Sequence, residues 1–242
     1  MTYPQELSRT DKRFVVEHMP RDVRDLLTKF HGRLFVGGGF VRATIAGNET
    51  PSDIDLFGSS DAILEAAAAL LADGRPGSKT HKSKNAITVL TPDRMPVQFI
   101  TRWQFAKADA LVASFDFTVC QAAVWRGGSA SNDEWRSLIG EGFYRDLAGR
   151  NLVYTAPVRD EEAGGSMLRV IKYVKRGYRI QVGSLGAVIA RLTSKIDASG
   201  LSQTEDGRAA VIGGLLREVD PLHMIDGLDV ADEHEPAEGA AA

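Results

Sequence analysis

Two short stretches of this chain carry residue types that do chemistry together. Three consecutive glycines, Gly37-Gly38-Gly39, end a brief apolar run, and Asp53-Ile54-Asp55 follows downstream. On an extended strand alternate side chains share a face, so Asp53 and Asp55 point the same way, roughly 7 Å apart along the chain. Their four oxygens suit magnesium or manganese, hard cations that keep positions open for substrate phosphates. Two such ions, about 3.5–4 Å apart, clamp an in-line displacement at phosphorus. The glycines serve the same chemistry. Without a Cβ, backbone N–H groups approach an anion closely, and a helix leaving the turn offers its positive end. Arg42 falls in the first turns of that helix, within expected reach of a phosphate. Each feature alone has a plainer meaning. Asp-x-Asp also describes a solvated strand face, and a glycine triplet also describes an ordinary strand-to-helix turn.

The elements that position these residues follow from periodicity. Residues 8–31 carry Leu26, Leu27 and Phe30 at helical spacing. Leu34-Phe35-Val36 reads as a buried strand, Phe40–Ala46 as a short helix stopped at Gly47-Asn48, and Asp53–Phe57 as an alternating strand. Ser60 or Asp61 caps an Ala- and Leu-rich helix ending near Asp73. Gly74–Gly77 is a loop, and Ala86–Leu90 and Val97–Ile100 are strands. Leu111–Val124 is a mostly apolar stretch interrupted by Asp116, and Arg126–Ser129 is a turn. Phe143–Leu147 makes a helical turn and Asn151–Tyr154 a short strand. Residues 161–179, 185–196 and 208–219 read as helices. No internal repeat is present.

In this order, Gly38-Gly39-Phe40-Val41-Arg42 and Ser52-Asp53-Ile54-Asp55-Leu56 resemble the active-site signature of the DNA polymerase β-type nucleotidyltransferases. The nearest branch is the catalytic head of bacterial CCA-adding enzymes and poly(A) polymerases. Phe115-Asp116-Phe117-Thr118 stands for that branch's third motif. Met167-Leu168-Arg169-Val170-Ile171-Lys172-Tyr173 stands for its fourth, the Leu-Arg helix. The resemblance spans roughly residues 33–180. It implies an α/β (α+β) catalytic domain with a mixed sheet flanked by helices, followed by a small helical region. The expected division is an N-terminal helical segment (1–32), the catalytic domain (33–158), a helical neck-like region (159–224) and a disordered acidic tail (225–242). The resemblance also implies that Gly38 and Gly39 hold a triphosphate through backbone amides and that Asp53 and Asp55 bind the metals. Arg42 assists at the phosphates or sugar. Asp116 is the ribose-side acid or the third carboxylate, and Arg169, with Lys172 on the same helix, faces the nucleotide. The activity implied is transfer of a nucleoside monophosphate from an NTP to an acceptor hydroxyl, with magnesium or manganese and release of pyrophosphate. An RNA 3′ end is the favoured acceptor and protein the alternative.

The departures are specific. Ala43 replaces an acid, Ser114-Phe115 replaces basic residues before Asp116, and Ser166 replaces an arginine. Gln98 stands where relatives often carry an acid, and an amide supplies no negative oxygen to a metal. These changes motivate a rival expectation, a catalytically silent nucleotide-binding or interaction module. The chain also ends after about two further helices, without the body and tail domains that grip tRNA. That size suits a compact enzyme acting on RNA or protein, including a toxin or phage-related one.

Composition narrows the field. The 242 residues are 43% hydrophobic and 25% charged, as in an ordinary soluble domain. No apolar run reaches about 18 residues, and no signal-like N-terminus is evident, so a cytoplasmic setting is expected. One cysteine, Cys120, excludes an internal disulfide and zinc fingers. Its apolar neighbours mark it as a buried, inert thiol. The five histidines lack ligand spacing. No Gly-x-x-x-x-Gly-Lys-Ser/Thr loop is present, which argues against a kinase-like phosphotransferase. Residues 226–242 hold six acids and no Lys or Arg, so the remainder has 29 basic against 26 acidic residues, a formal +3. Arg169, Lys172, Arg176 and Arg179 recur at helical spacing as a basic stripe, beside an apolar one of Leu168, Ile171, Val174 and Tyr178. The stripe reads either as contact with nucleotide or RNA phosphates or as a solvated helix face. Lys79, His81, Lys82 and Lys84 form a second basic patch between strands.

Overall fold

The computed structural model describes residues 5–127, 134–157, 163–194, 196 and 203–217. The acidic segment and Gly128-Ser129 of the expected turn lie outside them.

Two helices open the chain, α1 (Arg9–His18) and α2 (Arg21–Lys29). The Ser8 hydroxyl caps α1 by accepting the Asp11 amide at 3.0 Å. Then come β1 (Leu34–Gly37), α3 (Gly39–Ala46), β2 (Ile54–Gly58), α4 (Asp61–Asp73), β3 (Lys79–Lys82), β4 (Ala86–Thr91) and β5 (Arg94–Ile100). Helix α5 (Ala108–Ser114) and a 3-10 turn at Thr118–Cys120 lead to β6 (Ala122–Gly127), β7 (Glu134–Ile139), α6 (Phe143–Gly149) and β8 (Asn151–Leu152). The chain continues through α7 (Ala163–Lys175), β9 (Arg179–Ile180), α8 (Val182–Thr193) and α9 (Glu205–Arg217).

Seven strands form one sheet in the order β3-β4-β5-β2-β1-β6-β7. Only β2 and β5 run parallel; the other neighbours are antiparallel, so the sheet is mixed. Alternation splits its side chains between two faces. Leu34, Val36, Ile54, Leu56, Val97 and Phe99 enter the larger core, shared with residues of α1 to α4. Phe35 and Phe57, of opposite parity, join Leu111 and Val112 of α5 in a smaller cluster on the other face. Burying each such Leu or Phe contributes roughly 1.5–3 kcal/mol. Asp53, Asp55 and Gln98 have the parity of Phe57, so they belong to the side that α5 covers at one end.

Three expectations change. The helix expected over 161–179 stops at Lys175, because Gly177 (φ +86°) turns the chain and Arg179–Ile180 pairs with Asn151–Leu152 as a second, two-stranded parallel sheet. The basic patch around Lys79–Lys82 is an edge strand, every residue of it exposed. Glu134–Ile139 is a strand that the sequence pattern did not announce.

Candidate active site

The site is built where β1 and β2 meet. The register pairs Val36 with Leu56, and one further step sets Gly37 level with Asp55. Ile54 and Leu56 are fully buried, while Asp53 and Asp55 are half-buried on the opposite face. The glycine turn and the two acids therefore lie side by side.

Gly37 and Gly38 are required for distinct reasons. Gly38 adopts φ +69°, ψ −122°, a conformation closed to L side chains. A Cβ on Gly37 would stand 3.0 Å from the Phe115 ring, and one on Gly38 would stand 3.2 Å from it. A Cβ on Gly39 would meet nothing within 4 Å, so that side of the turn is open. The expected amide pair needs correction. The Gly38 N–H donates to the Ala122 carbonyl at 3.0 Å and is taken by the sheet. The amides free of intrahelical partners begin at Gly39, because the first bond of α3 runs from Arg42 N–H to Gly38 O at 3.1 Å.

Asp53 is held in place. Its Oδ1 accepts from Ser52 Oγ at 2.9 Å and its Oδ2 from Gln98 Nε2 at 3.3 Å. Gln98 sits beside Asp55 in the β2–β5 register. It thus adds no charge at the position where an acid was expected, and it orients Asp53 instead. Lys172 of α7 lies near both acids. Burial lowers its pKa to about 8; the charges of Asp53 and Asp55 oppose that fall and Arg176 adds to it. Two half-buried carboxylates on one strand face, beside open helix-start amides, are a donor set of hard oxygens that fits a divalent cation.

Asp116 stands apart from this pair. It is 6% exposed, and its Oδ2 accepts from Arg169 Nη1 at 2.7 Å and Ser166 Oγ at 2.9 Å. Among the described residues no group of three or more His, Cys, Asp and Glu is arranged to hold a metal. The expectation of a third carboxylate at the metal site is corrected accordingly: Asp116 is committed to α7. Arg169 and Lys172, one turn apart on α7, thereby face Asp116 and the Asp53–Asp55 pair respectively.

Arg42 also departs from its expected place. It is 1% exposed and points into the core behind the turn. Its Nη2 pairs with Glu49 Oε2 at 3.1 Å, and its Nη1 donates to the Tyr173 hydroxyl at 2.7 Å. The guanidinium carbon also lies 4.6 Å from the Tyr173 ring centre. Burial alone would lower the guanidinium's pKa, but Tyr173, Cys120 and Glu49 hold it above its ordinary value. Cys120, as expected, is buried, its Sγ 2.8 Å from the Tyr173 hydroxyl, and burial pushes its pKa up. Arg42 thus ties α3 to α7 and does not face a phosphate. Sequence reasoning missed Glu49 and Tyr173 as its partners and Ser52 as the partner of Asp53. Only Ser52, adjacent in the chain, left a signal.

A family model described as "Gad2: Gabija anti-defense 2 family protein" matches residues 6–150. No curated protein matches the chain. Among solved structures, the Thermotoga maritima CCA-adding enzyme complexed with tRNA is similar at a TM-score of 0.54 and 18% identity, over 92% of this chain and 53% of that one. A CCA-adding enzyme in complex with ATP matches at 0.58 and 18%, over 90% and 50%. The complex of a CCA-adding enzyme with CTP matches at 0.56 and 18%, over 92% and 52%. The chain thus spans about half the length of these structures. At this identity the likeness establishes the fold: a nucleotidyltransferase head-type mixed sheet flanked by helices.

Proposed function

The chain belongs to the Gabija anti-defense 2 family, and from that premise we propose that it is a metal-dependent nucleotidyltransferase acting within an anti-defence role. It moves a nucleoside monophosphate from an NTP to an acceptor hydroxyl, with an RNA 3′ end as the favoured acceptor and protein as the alternative. The observation that supports this most is the half-buried Asp53–Asp55 pair set level with the open side of the glycine turn. The ATP, CTP and tRNA complexes of the similar structures support nucleotide and RNA as the partner classes.

Asp53 and Asp55 would hold magnesium or manganese, which when bound lowers the pKa of an attacking hydroxyl and neutralises charge on leaving pyrophosphate. The acceptor oxygen attacks the α-phosphorus, the bond from that phosphorus to the bridging oxygen breaks, and the hydroxyl proton passes to solvent. The start of α3, with the Gly39 amide foremost, binds the phosphates. Lys172 adds positive charge beside the two acids. Gln98 and Ser52 fix the Asp53 carboxylate, so its direction is set before substrate arrives. Arg169, braced by Asp116, lines the substrate side of α7.

One observation favours the second reading, a silent nucleotide-binding module: the amide of Gln98 occupies the place of an acid. Incubation with α-³²P NTPs, Mg²⁺ and total RNA or protein separates the two. The enzyme reading expects label in a macromolecule, abolished in Asp53→Asn and Asp55→Asn. Nucleotide binding with no transfer to any acceptor would establish the silent module.

A further inference from the structure

Some exposed cations elsewhere on this surface pair with carboxylates: Arg13 with Glu17, Lys82 with Glu65, Arg94 with Asp22, Arg136 with Glu134. A group at the C-terminal ends of α6 and α7 does not. Arg150 Nη1 lies 3.4 Å from the Arg176 carbonyl. The Arg179 amide donates to the Arg150 carbonyl at 2.8 Å, and Arg179 Nη2 lies 3.3 Å from the Gly149 carbonyl. Among the described residues, none of Arg150, Lys175, Arg176 and Arg179 has a carboxylate partner.

The backbone is shaped to gather them. Arg150 is left-handed at φ +49°, and Gly177 has φ +86°. A Cβ on Gly177 would stand 2.8 Å from Arg150 Nη1, so the bare turn lets the guanidinium lie across it. Arg176 is one helical turn beyond Lys172, the residue beside Asp53 and Asp55. Arg176 therefore continues the positive charge of Lys172 toward the far end of α7. Next to it lies a cavity of about 270 Å³ whose walls include Ile45, Leu147, Tyr144, Tyr178 and Arg150 itself. That volume is just under the ~300–1,000 Å³ of drug-sized ligand sites and suits one small planar group.

Arg150 and Arg179, held by backbone carbonyls, keep their full charge for an outside anion, and with Lys175 and Arg176 they make a row that matches a repeating phosphate chain. A cavity with aromatic walls beside such a row accepts a base only when that base is out of its stack. We propose that Arg150, Lys175, Arg176 and Arg179 form a docking track for the sugar–phosphate backbone of a single-stranded nucleic acid, with one unstacked base entering the adjacent cavity. That the strand's end is led toward Asp53 and Asp55 rests on the transferase reading; the docking itself does not.

The test uses the intact chain and a fluorescein-labelled 12-nucleotide RNA of mixed sequence, read by anisotropy between 50 and 200 mM KCl. Single-stranded RNA is expected to bind more tightly than the same sequence as a duplex. Lys175→Ala with Arg179→Ala, both exposed positions, is expected to weaken binding at least tenfold at low salt. It should also reduce the slope of log K against log salt by about 1.4, two contacts at ~0.7 each. Arg150→Gly, which keeps the left-handed backbone, should give a loss in the same direction. Wild-type affinity and slope in these variants would overturn the proposal. So would equal binding of the duplex, or displacement of the RNA by polyglutamate at equal charge, which would point to an acidic protein. Asp53→Asn with Asp55→Asn is expected to bind the RNA as the wild type does. Binding of the RNA by a wild-type chain that transfers label to no acceptor would sink the transferase reading alone.

Discussion

Replacing Glu49 with alanine isolates what Arg42 does. The Arg42 and Glu49 side chains are 1% and 8% exposed, and their closest approach is 3.1 Å. Glu49→Ala leaves a guanidinium in the core with the neutral Tyr173 hydroxyl and Cys120 thiol as its remaining side-chain partners. Breaking a buried ion pair from one side costs about 3–5 kcal/mol, mostly the penalty of the charge left behind. For a chain of this size each kcal/mol moves Tm by roughly 2–4 °C, so a fall of about 6–20 °C is expected. Removing both charges, Arg42→Met with Glu49→Leu, avoids the orphaned charge and should recover most of that loss. Differential scanning calorimetry on the two single variants and the double variant measures the coupling directly. NTP affinity should follow the folded fraction and show no separate loss. A Glu49→Ala variant within about 1 kcal/mol of the wild type, or an Arg42→Met variant of normal Tm that has lost NTP binding, would refute the structural role and return Arg42 to the phosphates.

Other outcomes follow from the same geometry. Lys172→Met should weaken NTP binding at least tenfold without destabilising the fold, since burying an ammonium is unfavourable; titration calorimetry and Tm together check this. Gly38→Ala should cost roughly 1–3 kcal/mol for its backbone conformation alone, with more from the Phe115 contact, measured by urea denaturation. Burial would raise the Asp22 carboxyl, but the hydrogen bond and charge of Arg75 and the charge of Arg94 overcome it and hold the pKa below its ordinary value. Its stabilising contribution is therefore present above about pH 4 and lost as pH falls through the lowered value. Wild type should exceed Asp22→Asn in stability at pH 6, with the gap closing in acid.

The strands and helices that carry the site were legible because their apolar spacing is regular. Leu34–Val36, Ile54 with Leu56, and the Ser60-capped α4 stand where periodicity puts them. The shared face of Asp53 and Asp55 follows from strand alternation alone. What was not legible depended on partners distant in the chain. Arg42 is near the glycine turn in sequence, but its direction is set by Glu49 across the end of α3 and by Tyr173 on α7. Gly38 lost its amide to Ala122 because β6 lies beside β1, a pairing that no local pattern encodes. Asp116 was drawn to Ser166 and Arg169 in the same way. Strand β3 escaped notice because all four of its residues are exposed, which leaves no alternation to read.

On this reading Asp53 and Asp55 bring a cation to a triphosphate held at the start of α3. Titration of the folded chain with a non-hydrolysable NTP in the presence of Mn²⁺ tests it most directly. Binding is expected to depend on Mn²⁺ and to weaken at least tenfold in Asp53→Asn with Asp55→Asn, while circular dichroism stays unchanged. Equal affinity in the wild type and the double variant, with and without Mn²⁺, would contradict it.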